Sequence, residues 1–255
     1  MVLMSVEILP ATAYIYILTF ARIGAALMVL PALGEMSVSS RIRLVLALTV
    51  TAVLAPGAAV AYGTMPLGLG AIAVDIVSET ATGLFLGLTA RIFMSALQVA
   101  GTVIAFQSGL AFAMNVDPTQ GIQGAIVGAY LGVLGIVMVF ATDMHHLMLI
   151  ALRDSYILFP PQAAFPASDF LQIAVATVSD AFSLGVQLAA PFLVLSLVFY
   201  LGVGILSKLI PQVQIFFVAM PANILLSFVL LFLVLGATML WFLDRFEAVL
   251  MRFIV

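Results

Sequence analysis

No cysteine occurs anywhere in the chain, which excludes disulfides and thiol chemistry and leaves redox compartment without a signature. Charge is almost as scarce. Only 7% of the 255 residues are Asp, Glu, Lys or Arg, where a soluble domain carries roughly 25%. The formal net charge of −3 gives no basic face for nucleic acid. There is no polar stretch long enough to build a soluble domain. The enzyme signatures are missing too: no phosphate loop, no GxSxG, no nucleophile beside a base. The two histidines, His145 and His146, are adjacent and diverge by about 100° on a helix, so they do not form the i, i+4 pair of a zinc enzyme. Gly202 and Gly204 lack the third glycine and the strand-turn-helix context of a dinucleotide fingerprint. An enzyme, a cofactor and a metal are therefore not expected. The first residues, MVLMSVEILP, carry Glu7 as their only charge and lack the positive n-region of a signal peptide, so they are expected to be retained.

What is present is apolar: 65% of residues are hydrophobic. The chain reads as an all-α, polytopic membrane protein built of long helical hairpins, with broken helices around a central loop. Residues 8–33 are long enough to span a bilayer and carry Arg22 in their interior. An arginine at that depth costs roughly 2.5–3.5 kcal/mol on insertion scales, so it should face protein or water. Pro31, Gly34 and Ser37–Ser40 make a turn, and Arg41 with Arg43 marks it as the best candidate for a cytoplasmic loop. A second apolar segment covers residues 42–62. In the third, Asp75, Glu79, Gly83 and Gly87 follow at intervals of four, which sets two acids and two glycines on one face. Arg91 lies well off that face, which makes Arg22 the favoured partner of these carboxylates.

Residues 101–124, GTVIAFQSGLAFAMNVDPTQGIQG, interrupt the apolar runs with Gln107, Gly109, Asp117, Pro118 and Gln120. Irregular backbone at membrane depth survives only where it is buried in protein or lines a cavity, so the stretch reads either as a constriction in a pathway or as a loop outside the bilayer. Gly124, Gly128 and Gly132 then repeat the four-residue spacing in a helix expected to run to about Leu152. With Gly83 and Gly87 they give two small-residue stripes, the kind of surface on which helices in lipid approach closely. For Gly83 and Gly87 the simpler reading is close packing between helices; together the two stripes also suit faces for neighbouring chains. Arg153, Asp154 and three prolines mark a linker over 154–169, which separates residues 1–153 from a last hairpin, 170–255. Pro191 should kink the first arm of that hairpin. Pro211, Gln212, Phe216 and Pro221 lie at its bend, and Asp244 to Arg252 form a short charged tail.

Several stretches in order resemble the FliR/SctT family of type III export-gate membrane proteins. FARIGAALMVLPALGEMSVSSRIRL is similar to its opening pattern through Phe20, Arg22, Gly24, Pro31, Gly34 and Arg41. Glu79, Gly83, Gly87, Phe93, Gly101, Gln107, Gly109, Asp117 and Pro118 are similar to its central pattern. Asp143, His146, Ser155 and Pro160, then Pro191, Pro211, Gln212, Phe216 and Pro221, follow. The chain departs from the family in reading PQVQIF at residues 211–216 and Met220 before Pro221. The resemblance implies a component of the flagellar export gate that works with FliP and FliQ, beside FlhB and FlhA-type proteins, and passes unfolded flagellar subunits. It implies a multi-pass protein of the bacterial inner membrane, in the flagellar basal body and in contact with lipid. It further implies a FliP-like unit over 1–153, a FliQ-like hairpin over 170–255, and a plug at 107–123. Phe112 and Met114 suit a deformable apolar gasket there, since such a gate must seal against ions yet open widely. Two rivals stand beside this reading. One is the injectisome SctT paralogue. The other is a small-solute transporter using Asp75, Glu79 and Arg91 as a relay, which should show internal symmetry that the halves lack.

Overall fold

A computed structural model describes residues 2–110, 126–163, 166–210 and 215–255, with side chains from residue 11 onward and without those of residues 216 and 217. Eight α-helices are described: α1 Val2–Val29, α2 Ser40–Ala58, α3 Leu69–Met94, α4 Ala96–Gln107, α5 Ile126–Ala141, α6 Met144–Leu158, α7 Ala167–Leu209 and α8 Ile215–Leu250, with a closing 3-10 turn at Met251–Phe253. No strand occurs among the described residues. Five helical stretches are long and apolar enough to cross a membrane, and the broken pair α5/α6 makes a sixth if taken as one span. α7, at 43 residues, would be about 65 Å long, twice a hydrocarbon core of about 30 Å. Such a helix is no simple perpendicular span.

Local chemistry sets the helix ends. The Ser39 hydroxyl accepts from the Ile42 N–H and caps α2, while Pro56 falls in its last turn, where α2 stops two residues later. Gly109 ends the α4 region at φ +79, a left-handed conformation that glycine adopts without penalty. The helix expected to run from residue 124 to Leu152 is instead broken at Thr142 and Asp143, because Asp143 takes φ +58 and starts α6 afresh. Asp and Thr compete for backbone hydrogen bonds and favour such breaks. The expected charged tail is also different. Residues 244–250 continue α8, with Asp244 and Arg245 exposed while Phe246, Val249 and Leu250 are buried. Pro221, expected in the bend, lies inside α8. α7 runs unbroken through Pro191.

The chain forms two compact units. The first comprises residues 1–93, 139–177 and 246–255. In it α2 turns small residues, Ala47, Thr51, Ala55 and Ala58, inward at helical spacing. α1 and α3 pair along their length: Tyr14 with Asp75, Arg22 with Glu79 and Gly83, Ala26 with Gly87, Val29 with Arg91. The partners advance together along both helices, so α1 and α3 run parallel. Phe85, Phe159, Phe170 and Phe253 cluster beside them, with the Phe85 and Phe170 rings stacked at 3.8 Å. The C-terminal residues close on α6, where the buried Asp154 carboxylate accepts from the Val255 N–H at 3.1 Å. The second unit comprises residues 94–138 and 178–245. Its glycines bring helices together: a Cβ on Gly101 would overlap the Gly128 backbone, and one on Gly185 would lie 2.8 Å from the Ala96 carbonyl oxygen.

Candidate functional site: a buried arginine hub and a polar grip on Gln107

Arg22 lies at the centre of the first unit, 1% exposed, on α1. A guanidinium has five N–H groups, and each needs an acceptor once water is excluded. Nε donates to Glu79 Oε2 at 2.6 Å and Nη2 to Glu79 Oε1 at 2.9 Å, a bidentate pair. Nη1 donates to the Ser155 carbonyl at 3.0 Å and reaches the Ser155 hydroxyl at 3.3 Å, and Nη2 also donates to the Phe159 carbonyl at 3.0 Å. The Tyr156 ring covers the guanidinium at 4.3 Å. Glu79, 2% exposed, accepts a further bond from the Tyr62 hydroxyl at 3.2 Å. Burial pushes the Tyr62 phenol well up, so it stays a protonated donor. Arg22 thus ties α1 to α3, to α6 and to the turn after α6.

Asp75, one turn before Glu79, has a different partner. It accepts from the Tyr14 hydroxyl, which in turn accepts from Gln162 Nε2 at 3.1 Å. The four-residue spacing of the acids therefore makes two separate polar contacts on one face. Arg91 stands outside this arrangement. Its side chain is 44% exposed in the last turn of α3, near the Glu35 carboxylate at 3.7 Å and donating to the Val29 carbonyl at 3.2 Å.

The described glycines of both stripes, Gly83, Gly87, Gly128 and Gly132, are packed from within the chain, which fits simple helix packing better than faces for other chains. A Cβ on Gly83 would collide with the Arg22 carbonyl oxygen, and one on Gly87 would lie 2.8 Å from that of Ala26. Gln98 of α4 lies along the second stripe, its side-chain oxygen 2.8 Å from a Cβ on Gly128 and its nitrogen 2.7 Å from one on Gly132. Helices in lipid have no hydrophobic drive to associate, so such close backbone packing is what holds them.

In the second unit, Gln107 fixes the point where the apolar α4 ends. Its side-chain Oε1 accepts from the Ser196 hydroxyl at 2.6 Å, and its carbonyl accepts from Asn223 Nδ2 at 3.0 Å. Gly109 sits beside Met220 and Asn223. Ser196 and Asn223 were missed in the sequence, although each is a buried polar residue in an apolar helix and so carries the signal that finds such sites. Tyr14, Tyr62 and Tyr156 were missed as well, since a tyrosine in a membrane segment reads as bulk apolar surface. Phe112, Met114, Asp117, Pro118, Gly124, Pro211 and Gln212 lie outside the described residues, and Phe216 lies in α8 without a described side chain.

Residues 13–249 match the family described as Bacterial export proteins, family 1. The chain belongs to that family. Among its relatives, the flagellar biosynthetic protein FliR of Caulobacter vibrioides is 41% identical over 93% of this chain and 94% of its own length. FliR of Pectobacterium carotovorum is 30% identical over 85% and 82%, and FliR of Escherichia coli 28% identical over 82% and 80%. The segments of the export family match include the whole Arg22 hub and both partners of Gln107.

Proposed function

We propose that this chain is a component of the flagellar export gate in the bacterial inner membrane and not an enzyme. In this reading it assembles with FliP and FliQ, with FlhB and FlhA-type proteins beside them, into the pore that unfolded flagellar subunits cross. The match over residues 13–249, with relatives that are flagellar, carries the reading and favours the flagellar over the injectisome alternative. The transporter reading loses support at Glu79, whose carboxylate is already paired with Arg22 and accepts from Tyr62. Residues 1–153 act as a FliP-like unit and 170–255 as a FliQ-like hairpin, a division by chain order that differs from the two contact units.

The plug is assigned to residues 107–123. Support comes from its first residue, since Gln107 is gripped through both its side chain and its carbonyl. A polar grip at the root lets the following segment carry load without pulling α4 out of place. Shortening residues 111–117 in the assembled complex should raise ion conductance across the membrane. Conductance equal to that of the unaltered complex would reject the plug assignment.

A further inference from the structure

The break between α5 and α6 gathers three metal-ligand side chains within four consecutive residues. Asp143, His145 and His146 each bring one donor atom to within 4.8 Å of the others. The His145 and His146 rings lie 4.1 Å apart between centroids, in the first turn of α6. Asp143 occupies the left-handed region at φ 58, ψ 15, a conformation that costs a residue with a Cβ roughly 1–2 kcal/mol. An aspartate just before a helix ordinarily caps it, yet this side chain makes no capping hydrogen bond to α6. Its carboxylate instead faces His146 Nδ1 at 3.5 Å. Metal–ligand bonds of about 2.0–2.1 Å in a tetrahedral zinc site set ligand atoms roughly 3.4 Å apart, so this pair already has the spacing of one tetrahedral edge. His145 Nδ1 is shut off from solvent and has no hydrogen-bond partner. The last turn of α5 ends two residues before Asp143, so its negative dipole end offsets the positive end of α6.

We propose that Asp143, His145 and His146 form a site for one divalent transition-metal cation of the zinc class, with water completing the coordination. Two imidazoles and one carboxylate suit zinc, nickel or cobalt, whereas magnesium and calcium take all-oxygen sets. The bound ion ties the residue at the break to the first turn of α6.

The test uses the full-length chain, purified without a histidine tag and stripped with chelator. Zn2+ is titrated by calorimetry and Co2+ by its visible absorption, with Mg2+ as the control ion. One Zn2+ per chain is expected, with a tetrahedral Co2+ spectrum and no competition from Mg2+. His146→Gln, His145→Gln and Asp143→Asn should each weaken Zn2+ binding by about tenfold or more. Absence of stoichiometric binding, an octahedral Co2+ spectrum, or equal binding by the three variants would overturn the site. The Co2+ spectrum of the unaltered chain decides the matter even if a variant fails to fold.

Discussion

An arginine removed from water inside an apolar helix must find acceptors for every N–H, and Arg22 finds them on three separate segments. Breaking a buried ion pair by removing one partner costs about 3–5 kcal/mol, because the other charge is left stranded. Arg22→Ala and Glu79→Ala should therefore each destabilise the chain by about that much. The double variant should lose less than the sum, since neither charge is then orphaned. Thermal denaturation in detergent, arranged as a double-mutant cycle, measures this, and additive losses would show that the pair is not coupled. Arg22→Lys should fare little better than Ala, because an ammonium cannot span both Glu79 oxygens and the Ser155 and Phe159 carbonyls at once. Tyr62→Phe removes a single hydrogen bond to Glu79 and should cost about 1 kcal/mol. A loss as large as that from Glu79→Ala would mean that Tyr62 does more than donate to the carboxylate.

At the scale of helices, the glycine stripes decide how far any partner argument can go. Gly83→Leu drives a side chain into the α1 backbone at Arg22, and Gly128→Leu drives one into Gln98. Overpacking a filled contact costs typically 1–3 kcal/mol, and rigid backbone yields less than a side chain. Both variants should thus lower the thermal stability of the isolated chain itself. Had the stripes been free faces, these variants would lose partner binding at unchanged stability, and the thermal midpoint separates the two cases. The interval of four between Asp75, Glu79, Gly83 and Gly87 was enough to find the shared face and to narrow the partner of Arg22 to Glu79 or Asp75. The same spacing could not say whether the opposing helix belonged to this chain, because periodicity reports a surface and not its occupant. The break at Asp143 was hidden for another reason: the surrounding apolar residues continue the helical pattern across it, while the structure turns the backbone to φ +58 there. The partners of Gln107 lie 89 and 116 residues away, beyond the reach of any local pattern.

For the whole molecule, much of the apolar surface of α7 and α8 faces outward, including Val194, Leu197, Val198, Leu201, Phe232 and Leu233. Such surface is at home against lipid or other apolar helices. If the chain works as one part of an export gate, native mass spectrometry of the detergent-extracted complex should find it with FliP and FliQ. A homo-oligomer that secretes without them would sink the proposed function. The parallel pairing of α1 with α3 also sets a timetable for biosynthesis. Arg22 leaves the ribosome 57 residues before Glu79 and 133 before Ser155. At about 5–20 residues per second, its carboxylate arrives some 3–11 s later and its last acceptors about 7–27 s later. During that interval the first helix carries an unmatched charge toward the bilayer, at a cost of roughly 2.5–3.5 kcal/mol. A nascent chain arrested before α3 should therefore hold α1 weakly and be cleared by membrane proteases, whereas one arrested after Phe159 should persist.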